Sequence, residues 1–176
     1  MSVMVPKVLI PEAKIKQRLQ ELATEIAFDY RGKTVTAICV LKGSFIFFAD
    51  LIRLIDLPMH CEFIAVSSYG NKVVSSGEVK MTLDLTEPLE GKHVVIAEDI
   101  VDTGLTMQYL INNLKARKPA SLKVCALLLK PESLKTDVHL DYVGFKLGQE
   151  FVVGYGLDHG GRYRHLPYIG VLENAH

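Results

Sequence analysis

The residues best suited to chemistry in this chain lie together in Val94–Thr106, read as VVIAEDIVDTGLT. An apolar run, Val94-Val95-Ile96-Ala97, ends in two adjacent carboxylates, Glu98 and Asp99. A third carboxylate, Asp102, opens the small, hydroxyl-bearing turn Thr103-Gly104-Leu105-Thr106. Paired carboxylates accept hydrogen bonds from vicinal sugar hydroxyls. They also hold the waters of a Mg2+ ion, which keeps part of its hydration shell. A Gly-containing turn at a helix start offers free backbone N–H groups and the positive end of the helix dipole. With the hydroxyls of Thr103 and Thr106, it suits a phosphate. Asp102 lies between the two and is placed to exchange a proton with a base bound near the sugar's reacting carbon. The stretch therefore reads as a cradle for a metal-bound, phosphorylated sugar. Each part alone has a plainer role: solvated charge for the acid pair, an N-cap for Asp102. Their order behind an apolar run favours function.

The apolar run predicts a strand covered on both faces. Its carboxylates then sit at the carboxyl end, where open α/β sheets bind ligands. Leu110, Ile111 and Leu114 predict a helix after the turn, stopped by Pro119. Upstream, Ile15, Leu19, Leu22 and Ile26 share one face of a helix that follows Pro11 and ends at Arg31-Gly32-Lys33. Thr34–Leu41 reads as a strand. Lys42-Gly43-Ser44 joins it to a second helix, from Phe45 to about Ile55. That turn is a second candidate anion cradle, since Gly43 allows close backbone approach and Ser44 opens a helix. An ordinary strand-to-helix turn is an equal alternative. Cys61–Ser67 and Leu122–Leu129 are further strands, the latter ending at Lys130. Tyr69–Asp84 is polar, with Ser75-Ser76-Gly77 between two short alternating runs, and predicts a mobile hairpin or lid. Strands alternating with helices over the first 130 residues imply a parallel, right-handed sheet. The later runs, Asp141–Phe145, Phe151–Leu157 and Ile169–Leu172, lack long helices between them. They predict an edge hairpin or a small side subdomain.

A chain of 176 residues with 49% hydrophobic content suits one domain with a substantial core, not a disordered segment. Lys plus Arg and Asp plus Glu balance at 20 each, which argues against a broad nucleic-acid-binding face. Cys39, Cys61 and Cys125 each sit in or beside an apolar run, without a CxxC or a His at ligand spacing. They read as buried free thiols in a reducing cytoplasm. His93, His139 and His159 show no metal spacing. MSVMVPKVLIPEAK lacks the features of a leader, and no apolar stretch reaches transmembrane length. A cytoplasmic protein without membrane contact is the expectation. The absence of GxxxxGK[ST] and GxGxxG disfavours P-loop hydrolysis and a dinucleotide site.

Together these motifs resemble those of the hypoxanthine-guanine phosphoribosyltransferases, the 6-oxopurine-specific branch of the type I phosphoribosyltransferases. Val94–Thr106 is similar to that family's phosphoribosyl-pyrophosphate signature, and Leu41-Lys42-Gly43-Ser44 to its pyrophosphate loop. Ser67-Ser68-Tyr69-Gly70 is similar to the start of its mobile catalytic loop. Lys130, Phe151-Val152-Val153-Gly154-Tyr155, Leu157-Asp158 and Arg164 follow the order of its purine-side motifs. The resemblance spans nearly the whole chain.

It implies a Rossmann-like, mostly parallel twisted sheet flanked by helices, in one domain over 1–176. The core would span about 34–130, a small hood would come from about 1–12 and 145–176, and a β-hairpin lid from about 67–84, including Ser68 and Tyr69. It implies Mg2+-dependent transfer of the 5-phosphoribosyl group of phosphoribosyl pyrophosphate to N9 of hypoxanthine or guanine. IMP or GMP forms with pyrophosphate, through an oxocarbenium-like transition state. Glu98 and Asp99 would bind the ribose hydroxyls, partly through Mg2+. Thr103, Gly104 and Thr106, with backbone groups of Asp102 and Leu105, would hold the 5-phosphate. Lys42, Gly43 and Arg164 would grip pyrophosphate. Arg162 lies close by, so the choice of Arg164 rests on motif spacing. Phe151 would stack on the purine, Lys130 would donate to its 6-oxo group, and Val152 backbone groups would read its edge. Asp158 would carry a second Mg2+, and Asp102 would accept the N7 proton. A homodimer or homotetramer is the implied assembly. Two rivals are a regulator of the same fold that binds nucleic acid and a type I enzyme for another base such as xanthine or adenine.

Overall fold

The structure is a computed structural model that describes residues 5–68 and 79–173. Its elements run β1 (Lys7–Ile10), α1 (Glu12–Asp29), β2 (Val35–Leu41), α2 (Phe45–Ile52), β3 (Met59–Ser68), β4 (Val79–Leu83), β5 (His93–Val101), α3 (Leu105–Lys115), β6 (Ser121–Leu129), β7 (Tyr142–Lys146), β8 (Val152–Val153) and β9 (Ile169–Val171).

Six strands form one sheet in the order β4-β3-β2-β5-β6-β7. All of its pairings are parallel except β3 with β4. Period-two alternation splits the central strands between two cores. Ala37, Cys39, Val95, Ala97, Cys125 and Leu127 face α1 and α2, packing on Leu19, Leu22, Ile26, Phe47 and Leu51. Ile38, Val40, Val94, Ile96, Val124 and Ala126 face the other way, onto Met107, Leu110 and Leu114 of α3. Burial on both faces is why these strands are continuous apolar runs. Each fully buried Leu or Ile contributes roughly 1.5–3 kcal/mol relative to exposure. The sandwich fixes the carboxyl ends of β2, β5 and β6 side by side.

The later strands divide between two sheets. β7 joins the large sheet beside β6, in parallel, after the short 3-10 turn Pro131–Ser133 and a loop instead of a long helix. The main sheet therefore continues past Lys130 to Lys146. β8 and β9 pair with β1 in a separate antiparallel sheet of order β1-β9-β8, which unites segments from both ends of the described chain. The Phe151–Leu157 run is a strand only at Val152–Val153. Gly154, at φ 95°, then turns the chain back to a bridge with Leu157. The second helix ends at Ile52, short of the expected Ile55. β3 and β4 form an antiparallel pair where the lid is expected to be rooted. Tyr69 and the rest of 69–78 lie outside the described residues.

One expectation needs correction. Cys39 and Cys125 are buried, but Cys61 is exposed. It lies near the start of β3, outside the stretch Ala65–Ser68 that β4 pairs. Phe63, two residues on and so on the same side, is 43% exposed. Among the described residues, no helix is long and apolar enough to cross a membrane.

At the amino ends of the strands, Asp29 in the last turn of α1 accepts hydrogen bonds from Lys123 Nζ (2.6 Å) and the Tyr142 hydroxyl (2.5 Å). The Lys123 ammonium, then the Tyr142 hydroxyl, hold the Asp29 carboxyl below its ordinary range. The tie joins α1 to β6 and β7. A depressed carboxylate stabilises the fold above its unfolded pKa, and that contribution is lost as pH falls through the folded one. Asp29→Asn is expected to lower stability by about 0.5–1 kcal/mol at neutral pH, because the pair is partly exposed. The deficit relative to the unmodified protein should shrink as pH falls below about 4; denaturant titrations at several pH values measure it. Thiol reactivity checks the Cys61 placement. Burial pushes the Cys39 thiol up to about 12, and Cys125 higher still. The native protein at about pH 8 should show one fast thiol, absent in Cys61→Ser, and two that react only on unfolding.

Candidate active site

β5 carries Glu98 and Asp99 to the carboxyl edge of the sheet. Glu98 is buried, and its Oε1 accepts hydrogen bonds from Ser44 Oγ (3.2 Å) and Asp99 N (3.1 Å). Asp99 is half-buried, and its Oδ1 accepts from Ile100 N (2.7 Å). Burial, then the neighbouring Asp99, push the Glu98 carboxyl well above its usual range. Burial also raises Asp99. Two acids this close and this dry do not both ionise easily without a cation.

The loop after β2 lies against this pair. Parallel pairing sets Cys39 opposite Ala97, so the chain leaves β2 level with Asp99. The Leu41–Lys42 peptide is cis. A Cβ on Gly43 would stand 1.7 Å from Asp99 Oδ2, so any larger residue there would have to push that carboxylate aside. Gly156 closes the stack from the other side. At φ 100°, its missing Cβ would come within 2.1 Å of the Gly43 carbonyl oxygen. Lys42 itself is exposed.

Past Val101 the chain turns through Asp102-Thr103-Gly104. Gly104, at φ 81°, is the N-cap of α3, so Asp102 does not cap that helix. Thr103 Oγ1 accepts from Leu105 N (3.4 Å). A cavity of about 100 Å³ is lined by Glu98, Asp102, Thr103, Gly104 and Thr106. It faces the free N–H groups of the α3 terminus, a phosphate-binding arrangement. The loop after β6 supports the turn from behind: Leu134, Thr136 and Val138 press on Gly104, and Lys135 N donates to Thr103 O (2.9 Å).

A larger cleft of about 310 Å³ opens beside it, lined by Gly43, Asp99, Asp102, Lys130, Phe151, Val152, Asp158 and Arg164. Lys130, the residue after β6, is buried, and its Nζ lies 3.9 Å from Asp102 Oδ2. The Asp102 side chain is 53% exposed to the cleft. Phe151 is 41% exposed at the mouth, with His159 edge-on at 5.3 Å. Asp158 Oδ1 pairs with Arg164 Nη2 (2.9 Å), and its Oδ2 accepts from Gly161 N (2.7 Å). Arg164 Nη1 also donates to Gly156 O (2.6 Å). Arg164 thus lines the cleft, whereas Arg162 is exposed and does not. Ser68 ends β3, and Tyr69 lies outside the described residues. Sequence reasoning missed the Ser44 hydrogen bond to Glu98, the lining residues Ile100 and Leu157, and the Gly156 contact. Only the glycine at 156 carried a signal.

Residues 10–159 match the phosphoribosyl transferase domain family. The chain is 49% identical over 171 residues to the hypoxanthine-guanine phosphoribosyltransferase of Bacillus subtilis, covering 97% of this chain and 95% of that relative. The chain belongs to the hypoxanthine-guanine phosphoribosyltransferase family. The Mycobacterium tuberculosis enzyme of that name is 46% identical over 96% of this chain and 87% of its own length. The fold agrees with solved members. The hypoxanthine-guanine phosphoribosyltransferase of Bacillus anthracis, solved with HEPES in its active site, superposes with TM-score 0.92 at 43% identity, covering 97% of this chain and 100% of that one. A hypoxanthine phosphoribosyltransferase from Staphylococcus aureus gives 0.91 at 44% identity, covering 95% and 91%.

In a phosphoribosyltransferase built this way, the backbone at Gly43 must approach the acid pair closely. Gly43→Ala is expected to push Asp99 aside and lower turnover by roughly a hundredfold, with an unchanged far-UV spectrum. Activity within about twofold of the unmodified protein would contradict the contact.

Proposed function

We propose that this protein transfers the 5-phosphoribosyl group of phosphoribosyl pyrophosphate to N9 of hypoxanthine or guanine, releasing pyrophosphate. The observation that carries the reading is the pairing of buried Lys130 with Asp102 at 3.9 Å, between the acid pair and Phe151. A 6-oxopurine stacked on Phe151 presents an acceptor oxygen, which the Lys130 ammonium meets as a donor. A 6-amino group would face that ammonium donor to donor, a mismatch that costs about 1–3 kcal/mol when buried. Val152 backbone groups read the edge of the base. Asp102 accepts the N7 proton as N9 bonds to the sugar.

On the donor side, Glu98 and Asp99 receive the ribose hydroxyls. The 5-phosphate lies in the turn Thr103-Gly104-Leu105-Thr106, on the N-terminus of α3. Lys42, Gly43 and Arg164 hold the pyrophosphate, whose departure leaves an oxocarbenium-like sugar. The oxygen-only donors Glu98, Asp99 and Asp158 fit Mg2+, which takes such ligands readily. Among the described residues, no group of three or more His, Cys, Asp or Glu side chains is arranged to hold a metal. The ion's remaining ligands would therefore be water and substrate oxygens. Bound there, Mg2+ would neutralise charge on the departing pyrophosphate. Exposed Phe45 and Phe63 support assembly as a homodimer or homotetramer. The reading also places the enzyme in the cytoplasm.

Purified protein with Mg2+, phosphoribosyl pyrophosphate and hypoxanthine should release pyrophosphate. No turnover with any purine would sink the reading, and a preference for adenine over both oxopurines would remove the role given to Lys130. Asp102→Asn should lower kcat by roughly 10²–10⁴ while donor affinity stays within about twofold. An unchanged kcat in a chemistry-limited assay would exclude Asp102 as the proton acceptor.

A further inference from the structure

Tyr155 and Asp50 lie outside the roles assigned so far, yet they connect the two halves of the site. Tyr155 is buried at 5% exposure and sits at φ 50°, a left-handed conformation rare for a residue with a side chain. Its neighbours hold it there. Tyr155 N donates to Leu166 O (2.8 Å), and Gly156 N donates to Arg164 O (2.9 Å). Its ring points away from the cleft, and its hydroxyl donates to Asp50 Oδ2 at 2.6 Å. Asp50 belongs to α2, the helix that starts directly behind Lys42-Gly43-Ser44. Its other oxygen pairs with Arg53. Burial, then the Asp50 carboxylate, push the Tyr155 phenol far up, so it remains a donor at any working pH.

We infer that the Tyr155–Asp50 hydrogen bond is a positioning strut, which fixes the base-binding segment Phe151–Asp158 at a set distance from the pyrophosphate loop. This rests on the phosphoribosyl-transfer reading. In that reaction the sugar carbon passes from a leaving group held by Gly43 to a nitrogen held by Phe151 and Val152. The spacing of the two supports sets the reacting distance, and small errors in it are expensive in rate. The two segments meet at the Gly156 contact with the Gly43 carbonyl and at this strut. The first limits how near they come, and the second resists their separation. A side chain strained into φ 50° simply to fill space would be replaceable by any apolar residue of its size. A short hydrogen bond to a carboxylate is directional and roughly twice as strong as a neutral one.

The test uses the full chain and four proteins: unmodified, Tyr155→Phe, Asp50→Ala and Asp50→Asn. Steady-state kinetics with hypoxanthine at saturating donor give kcat/KM for the base. Equilibrium binding of phosphoribosyl pyrophosphate with Mg2+ gives donor affinity, and a thermal melt monitors the fold. Tyr155→Phe and Asp50→Ala should each lower kcat/KM for hypoxanthine by roughly ten-fold, with donor affinity within about twofold. Asp50→Asn keeps an oxygen acceptor and should recover most of the loss. If kcat/KM is unchanged in Tyr155→Phe and Asp50→Ala while the melting temperature falls, the contact is structural only and the inference is wrong. An equal loss of donor affinity, or no recovery in Asp50→Asn, overturns it as well. Absence of turnover in the unmodified protein would instead remove the functional reading, and this inference with it.

Discussion

The close approach of Gly43 to Asp99 is the constraint on which the rest of the site depends. In the register of the adjacent parallel strands β2 and β5, Leu41 at the end of β2 comes level with Asp99 of β5. The chain leaving β2 must therefore pass directly over the carboxylates at the end of β5. A Cβ at residue 43 would overlap Asp99 Oδ2. Gly156 meets the Gly43 carbonyl from the other side, so the same loop also touches the Phe151–Asp158 segment. A side chain at 43 would displace the Asp99 carboxylate.

The electrostatics follow from the same geometry. Glu98 is buried because it continues the covered stretch Val94–Ala97 of β5, and Ser44 reaches it because α2 begins at once after the loop. Desolvation and mutual repulsion leave the pair short of positive charge. Across the cleft the balance reverses: Lys130 is buried, and among the described residues its one ion-pair partner is Asp102 at 3.9 Å. The cleft thus runs from an acidic wall that suits cations and hydroxyls to a basic one that suits an acceptor oxygen.

The parts of this structure governed by local pattern were legible in the sequence. The apolar runs of β2, β5 and β6 gave the central strands, because doubly covered strands are apolar throughout. The turn at Asp102–Thr106 was legible too, because a glycine at φ 81° is a requirement of the backbone there. What was hidden depends on contacts between distant segments. Cys61 resembles its buried counterparts in sequence, but it lies on the stretch of β3 that β4 does not pair. The membership of β7 in the main sheet could not be read, since its crossover runs through the short turn Pro131–Ser133 and a loop, without the long helix that usually marks a parallel connection. Ser44, Ile100 and Leu157 owe their places to strand register and the fold of the second sheet. The roles of individual site residues came from motif resemblance, and their spatial convergence is what the fold adds.

The Asp158–Arg164 pair bears on how tightly this protein can hold an anion. The Arg164 guanidinium has a carboxylate at 2.9 Å and a carbonyl at 2.6 Å. A phosphate that takes the Asp158 side of Arg164 must displace that carboxylate, and gains only the difference. An arginine engaged in this way binds less tightly than a free one would, and it has a resting place to return to. In the proposed reaction pyrophosphate is a product as well as part of a substrate. Competition from Asp158 would then speed its departure, limiting product inhibition at the end of each cycle.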